Sequence, residues 1–152
     1  MRRSRPNQFK NKSVVLKQIM FAVKGSGANH KWIAIFNNKF DEFVKDLITL
    51  YPDDKDFKML KNSFNLMKLA DDKKPFELFA RYGEKFEKQV QTKDERFFLD
   101  QTYDDAVVNE SNFTEDLVNK LKSYWKDMSE DDKEIIWKYL GLFFGLKNKI
   151  YS

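Results

Sequence analysis

The stretch WIAIFNNKFDEFVKDLITLYP, residues 32–52, carries the strongest structural signal in the chain. Its apolar residues recur in steps of three and four, which places them on one stripe of a helix. The members of this stripe are Trp32, Phe36, Phe40, Phe43, Val44, Leu47, Ile48 and Tyr51. Pro52 disfavours the helical conformation of the residue before it, so the predicted helix ends at Tyr51.

Helix-start signals divide the chain beyond this helix. The aspartates of PDDKD, residues 52–56, predict an N-cap for a second helix, and Pro75 predicts the first turn of a third. The stretch KDERFFLD, residues 93–100, predicts a short helix or a last turn. Two pairs with capping-box spacing predict the starts of the last two helices, and they are Asn112 with Glu115 and Ser129 with Asp132.

Apolar stripes follow these starts. The second helix carries Phe57, Leu60, Phe64 and Met67 at helical spacing. The third is predicted as one face through Phe76, Phe79, Phe86 and Val90, with Gly83 at the intervening position. A glycine there costs about 1 kcal/mol relative to alanine, unless another helix has to approach closely.

The pattern as a whole predicts an all-α fold, a compact bundle of five or six helices. Residues 13–152 are predicted to form a single helical domain, and residues 1–12 a basic N-terminal arm. The stretch SVVLKQIMFAV, residues 13–23, favours a helix with Val15, Leu16, Ile19, Met20 and Val23 on one face. Its β-branched content leaves a hairpin strand open as the alternative.

The last helix contains an unusually wide apolar arc. The apolar positions of residues 135–150 cover about 220° of a helical wheel, which predicts a central position or one shared with a partner. Gly141 and Gly145, in the sequence GLFFG, have the spacing that lets two helix backbones approach. They indicate either helix packing within the chain or a homo-oligomer contact through this helix. Trp125 and Trp137 follow the helical stripes and are predicted to lie in the core.

Several kinds of chemistry are excluded by residue type. The chain has 152 residues, no cysteine and one histidine, so disulfides, thiolate sites and multi-histidine metal sites within one chain are ruled out. The acidic clusters lack the ligand spacing of a calcium loop and stand where helices begin. We therefore expect no metal, no cofactor and no enzymatic activity. The longest apolar run, YLGLFFGL, is too short to span a bilayer, and we expect no membrane contact and no secretory signal.

The loop KGSGANHKW, residues 24–32, invites a comparison with phosphate-binding loops. No Ser or Thr follows Lys31, and the Gly-x-Gly-x-x-Gly pattern fails because residue 30 is His30. We interpret the loop as a connector between helices. An unspecialised anion contact at the next helix start, assisted by Lys31, is the alternative.

Charge is distributed unevenly along the chain. Residues 1–31 contain eight basic side chains and no acidic one, while the remaining residues hold 20 basic against 24 acidic and sum to −4. Such a basic segment neutralises phosphates or carboxylates without reading sequence. The predicted anion- or partner-binding residues are Arg2, Arg3, Arg5, Lys10, Lys12, Lys24 and Lys31.

Three stretches carry a family resemblance: FDEFVKDLITLYPDDKDFKMLKNSF, KPFELFARYGEKFEKQVQTKDERFFL and WKDMSEDDKEIIWKYLGLFFGL. In this order, over about residues 36–146, the chain resembles small helical proteins of the large nucleocytoplasmic DNA viruses. The resemblance implies a viral origin and an α-helical fold, and it implies no activity. We expect a non-enzymatic interaction or structural protein in the host cytoplasm or nucleus, or in the virion. A nucleic-acid-binding protein that contacts phosphates without sequence readout is the alternative.

Overall fold

The computed structural model describes residues 29–99 and 113–151, with side chains of the second range from Thr114 onward. These residues form seven α-helices and no strand, which confirms the all-α prediction for this part of the chain. The helices are α1 (Asn29–Leu50), α2 (Lys55–Ala70), α3 (Lys74–Gly83), α4 (Glu87–Gln91), α5 (Arg96–Leu99), α6 (Phe113–Trp125) and α7 (Glu130–Tyr151). The predicted arm and residues 13–23 lie outside the described residues, so the helix count of the whole bundle stays a prediction.

The two longest helices, α1 and α7, pack against each other in the core. α1 also contacts α2 and α3, and α7 also contacts α3 and α4. The ring of Phe143 in α7 lies 5.3 Å from those of Phe36 and Phe40 in α1. The central position predicted for the last helix is confirmed by its buried apolar residues, which are Ile135, Ile136, Trp137, Tyr139, Leu140, Phe143, Phe144, Leu146 and Ile150.

The predicted helix-start signals operate as expected where the structure describes them. Asp54 caps α2, and its side chain accepts a hydrogen bond from the backbone N–H of Asp56 at 2.9 Å. Ser129 precedes α7, and its Oγ accepts from the backbone N–H of Asp132 at 3.1 Å. Pro75 lies in the first turn of α3. Each cap satisfies a backbone donor that would otherwise lack a partner at a helix start.

The single helix predicted from Phe76 to Val90 is wrong, because the chain turns after Gly83. α3 ends there, Phe86 donates its backbone N–H to the carbonyl of Gly83 at 2.9 Å, and α4 begins at Glu87. The turn brings the ring of Phe86 to 4.6 Å from Phe97 and 5.6 Å from Phe144. These contacts between elements outweigh continuation of the local helical pattern.

The four-residue helix α5 is positioned by aromatic packing. Such a short helix has too few backbone hydrogen bonds to be stable alone. The ring of Phe98 stacks on Trp125 at 4.0 Å and lies edge-on to Trp137 at 5.2 Å. All three side chains are buried. The prediction that both tryptophans belong to the core is confirmed.

Candidate functional site

The predicted basic residues fall almost entirely outside the described part of the chain. Arg2, Arg3, Arg5, Lys10, Lys12 and Lys24 lie there, so their placement as binding residues stays a prediction. Lys31 is described, and it is exposed in the first turn of α1 beside the exposed His30. The last residues of the loop KGSGANHKW therefore belong to a helix start, where the first backbone N–H groups have no partner within the helix.

The glycines of α7 present an open backbone strip. A Cβ atom added at Gly141 or at Gly145 would meet no described atom within 4 Å outside its own helix. The described helices therefore do not pack closely on this strip, although packing within the chain was one of its two interpretations. The other interpretation, a contact with a second molecule, stays a prediction.

A network of polar side chains, here called the α2–α6 junction, joins the start of α2 to α6. It consists of Asp54, Asp56, Lys120 and Tyr124. The Lys120 ammonium lies 2.7 Å from a carboxylate oxygen of Asp56 and 3.0 Å from one of Asp54. The Tyr124 hydroxyl donates to Asp54. The acceptor capacity of Asp54 is thus used in capping α2 and in holding α6.

The pKa values at the junction follow from these contacts. Burial raises the pKa of Asp54, but the hydrogen bonds from Tyr124 and Lys120 outweigh burial and hold it below its ordinary value. Hydrogen bonds to Asp56 and Asp54 raise the pKa of Lys120 to about 12. The hydrogen bond to Asp54 also raises the pKa of Tyr124. The junction is therefore a charged, hydrogen-bonded connection at neutral pH.

A groove of about 430 Å³ continues from the junction along the surface between α2 and α6. Its lining is mixed, with apolar side chains from α2 and polar side chains mainly from α6, and it comprises Asp56, Met59, Leu60, Ser63, Asp116, Asn119, Lys120 and Ser123. Burial of part of Asp116 raises the pKa of its carboxyl. Burial, and then the charge of Asp116, raise the pKa of Glu115 in the same turn. A polar wall from α6, with one acidic and one basic side chain, thus faces a wall from α2 that includes Met59 and Leu60.

An exposed apolar surface adjoins this groove. We call it the α2 outer face, and it consists of Met59, Ser63, Leu66 and Leu69. Met59 is 63% exposed, Leu66 68% and Leu69 82%, whereas only Phe57 and Phe64 of α2 are buried. The sequence prediction considered only the stripe that includes these phenylalanines. The signal for a second stripe was present in the spacing of seven and three residues between the exposed members.

A second cavity, of about 480 Å³, lies between α3 and α7. It is lined by side chains of both charges, with Glu77, Ala80, Arg81, Glu84, Lys147 and Tyr151. Lys147 is also engaged with Glu87 of α4, at 2.5 Å between its Nζ and a carboxylate oxygen. The mixture of charges favours no particular ligand.

The acidic clusters in the described ranges serve helix starts. Asp54 caps α2, and Glu130, Asp131 and Asp132 occupy the first turn of α7, where the helix dipole favours negative charge. Within residues 29–99 and 113–151, no three acidic or histidine side chains come together as a group that could hold a metal ion. No helix among the described residues has the length and apolar character to cross a bilayer.

Comparison of the chain with protein-family models, with curated protein sequences and with solved structures found no match. The resemblance to small viral helical proteins therefore stays a prediction.

Proposed function

We propose that this protein is a non-enzymatic interaction or structural protein of viral origin, whose basic arm engages an anionic protein surface. The observation that carries the proposal is the division of charge. Residues 1–31 hold eight basic side chains and no acid, whereas residues 32–152 sum to −4. The quoted resemblance supports the viral origin, and with it a place in the host cytoplasm, in the nucleus or in the virion.

The ion pairs on the described surface support a binding role for the basic N-terminal segment. Many of its lysines are paired with carboxylates of the same chain, for example Lys93 with Glu134, Lys133 with Glu95 and Lys147 with Glu87. Residues 1–31 have no acidic side chain of their own to form such local pairs. The basic side chains of residues 1–31 are therefore the ones best suited to bind an external anionic partner. The open strip at Gly141 and Gly145 supports a homo-oligomer contact through α7.

A nucleic-acid-binding function is the second candidate. Lys31, the last basic side chain of residues 1–31, is exposed in the first turn of α1. Unpaired backbone N–H groups at a helix start favour phosphate. In this function, Lys24 and Lys31 extend the phosphate contacts of the arm.

The experiment compares two full-length variants of equal net charge. In the arm variant, Arg2, Arg3, Arg5, Lys10 and Lys12 become glutamine. In the control, five exposed lysines of the body become glutamine, and they are Lys55, Lys58, Lys73, Lys88 and Lys126. Each variant carries −1, five charges below the parent's +4. Binding to poly-L-glutamate and to a random-sequence DNA duplex is measured over a salt series.

For the leading function, the parent and the control bind poly-L-glutamate and the arm variant does not. For the nucleic-acid function, the parent prefers duplex DNA, and loss of five phosphate contacts lowers the log–log salt slope by roughly four to five. If the arm variant and the control lose binding to the same extent, both functions are contradicted, because net charge and not the arm would then explain the binding. If the parent protein binds neither poly-L-glutamate nor duplex DNA, both functions are contradicted as well.

A further inference from the structure

Asp116 of α6 lines the groove between α2 and α6, and its carboxylate has no hydrogen-bond or ion-pair partner among the residues that the structure describes. Lys120 follows it by four residues, which is the usual spacing for an ion pair on one helix. The Lys120 ammonium lies instead 2.7 Å from a carboxylate oxygen of Asp56 and 3.0 Å from one of Asp54. Two carboxylates thus compensate Lys120, and no described cation compensates Asp116.

The pKa values agree with this distribution of charge. Hydrogen bonds to Asp56 and Asp54 raise the pKa of Lys120 to about 12, so its ammonium stays charged and bound to these two carboxylates. Partial burial raises the pKa of Asp116, and no described cation offsets this effect. A cation placed beside Asp116 would supply the missing compensation.

We propose that the groove and the α2 outer face together bind a peptide segment of a partner protein, which places a lysine or arginine side chain against Asp116 and apolar side chains against α2. The stem of such a basic side chain can lie along Met59 and Leu60 while its charged end reaches the carboxylate. The groove volume of about 430 Å³ is within the usual range for binding pockets.

The α2 outer face supplies the apolar part of this surface. Met59 is 63% exposed, Leu66 68% and Leu69 82%. Met59 belongs both to this face and to the groove, so the apolar surface and the site at Asp116 are continuous. An exposed apolar patch bordered by polar residues is typical of a protein-binding surface. The combination favours a peptide with both apolar and basic side chains over a free amine.

The lysines in the first turn of α2 influence where a basic side chain can bind. Lys55 and Lys58 do not line the groove. At about 100° per residue they lie roughly 140° and 160° from Leu60 on the helical wheel, on the side of α2 away from the groove. Asp53 offsets their charge only in part. They disfavour a further cation at this end of α2, whereas Asp116 lies about 6 Å farther along α6 than Lys120.

The last end of the α2 outer face has no net charge. It is followed by two acidic and two basic residues, Asp71, Asp72, Lys73 and Lys74. This end therefore does not distinguish a basic partner from an acidic one. The carboxylate of Asp116 decides which charge of the partner is favoured.

The probe for this site is a fluorescein-labelled synthetic peptide with leucines at helical spacing, one central lysine, and otherwise alanine and glutamine. Two matched peptides carry glutamine or glutamate in place of the lysine. Binding to the full chain is measured by fluorescence anisotropy. We expect the parent to bind the lysine peptide at least about threefold more tightly than the glutamine peptide, and the glutamate peptide most weakly, because exposed ion pairs contribute modestly. The preference should shrink at high salt.

Two pairs of variants assign the contributions of charge and of apolar contact. Asp116→Asn should abolish the preference for lysine, whereas Asp127→Asn removes the same charge from an exposed position that does not line the groove and should retain it. The double variant Leu66→Ser and Leu69→Ser should weaken binding of all three peptides by about tenfold or more. Leu99→Ser, at an exposed leucine of α5, should leave their binding unchanged.

Several results would overturn the proposal. Equal affinity of the parent for all three peptides means that Asp116 does not select a cation. Equal effects of Asp116→Asn and Asp127→Asn mean that net charge explains the preference. If only the arm variant described above binds the lysine peptide, the chain's own arm occupies the groove. If neither the parent nor the arm variant binds it, the surface does not bind such a segment. None of these results changes the binding of poly-L-glutamate that is expected of the arm.

Discussion

At the scale of single residues, the contact between Gly83 and Phe144 shows why one glycine is needed where α3 ends. A Cβ atom added at Gly83 would lie 2.9 Å from Cε1 of Phe144, which is closer than carbon atoms normally approach. Phe144 is itself buried beside Phe79, with ring centroids 4.9 Å apart. The ring therefore has little room to move away. The close approach of Phe144 from α7 is therefore the condition under which a glycine is favoured over alanine at this position.

The first prediction concerns this contact. We expect Gly83→Ala to lower the free energy of unfolding by about 1–3 kcal/mol, the usual range for overpacking a filled core. Gly141→Ala is the matched control, since an added Cβ there meets no described atom within 4 Å. In the middle of α7 that change should raise the free energy of unfolding by roughly 0.5–1 kcal/mol, because alanine favours the helix. Denaturant unfolding of both variants provides the measurement, and equal effects would contradict the packing described.

At the scale of elements, the α2–α6 junction connects two helices that are far apart in sequence. Asp54 and Tyr124 are separated by 70 positions, yet the hydroxyl of Tyr124 donates to the Asp54 carboxylate. The same carboxylate group caps α2 through the N–H of Asp56. One side chain therefore stabilises a helix start and a contact between helices. Aromatic stacking of Tyr51 on Tyr124, at 4.0 Å, adds to this contact.

The second prediction separates these two roles of Asp54. We expect Asp54→Ala to cost about 2 kcal/mol of unfolding free energy, through loss of the cap and of the charged hydrogen bonds. Asp54→Asn keeps a capping oxygen and should cost less. Asp53→Ala is the control, because that carboxylate is exposed and surface changes usually stay within about 0.5 kcal/mol. Urea unfolding at neutral pH ranks the three variants.

The pKa of Asp54 gives this prediction a pH dependence. The folded protein holds that pKa below 3.8, its ordinary value, so the carboxylate contributes stability above pH 3.8. As pH falls through the lower folded value, this contribution is lost. The difference between the parent and Asp54→Ala should therefore narrow in acid. A constant difference would contradict the charged role of the junction.

At the scale of the whole molecule, aromatic rings fill most of the core, and several tyrosines present their hydroxyls at its boundary. The Tyr139 ring stacks on Phe43 at 4.6 Å, and its hydroxyl donates to Asp46 at 2.6 Å. Burial, and then the hydrogen bond to Asp46, raise the pKa of Tyr139 far above its ordinary value. Burial raises the pKa of Tyr82 to about 12. The folded protein thus retains phenol protons that the unfolded chain releases near pH 10.

The third prediction is loss of stability in alkali. Between pH 10 and about 12 the unfolded chain binds fewer protons than the folded protein, so the free energy of unfolding falls as pH rises. We expect the melting temperature to decrease across this range, and to decrease less steeply in Tyr139→Phe. The control is Tyr151→Phe, at a position that is 61% exposed, and its slope should match the parent's. If the melting temperature falls equally steeply with pH in all three proteins, Tyr139 does not contribute to the loss of stability in alkali.

The candidate binding surfaces were only partly predictable from sequence. The uneven charge of residues 1–31 is visible in composition, because it needs no information on contacts. The α2–α6 junction was missed, because Asp54 was interpreted only as a cap and its partners lie far along the chain. The α2 outer face was also missed, since two apolar stripes on one helix compete and only packing decides which is buried. The open strip at Gly141 and Gly145 could equally have been covered by another helix.

The all-α class, the ends of several helices and the central position of the last helix could be predicted from the sequence. These features depend on residues within one turn or one stripe, such as Pro52 after α1 and Ser129 before α7, so neighbouring side chains are sufficient to specify them. The packing of the helices was needed to reveal the turn between Gly83 and Glu87, the exposed face of α2 and the partners of Asp54. Those features depend on how separate helices are oriented, and that orientation follows from the total burial of the aromatic core.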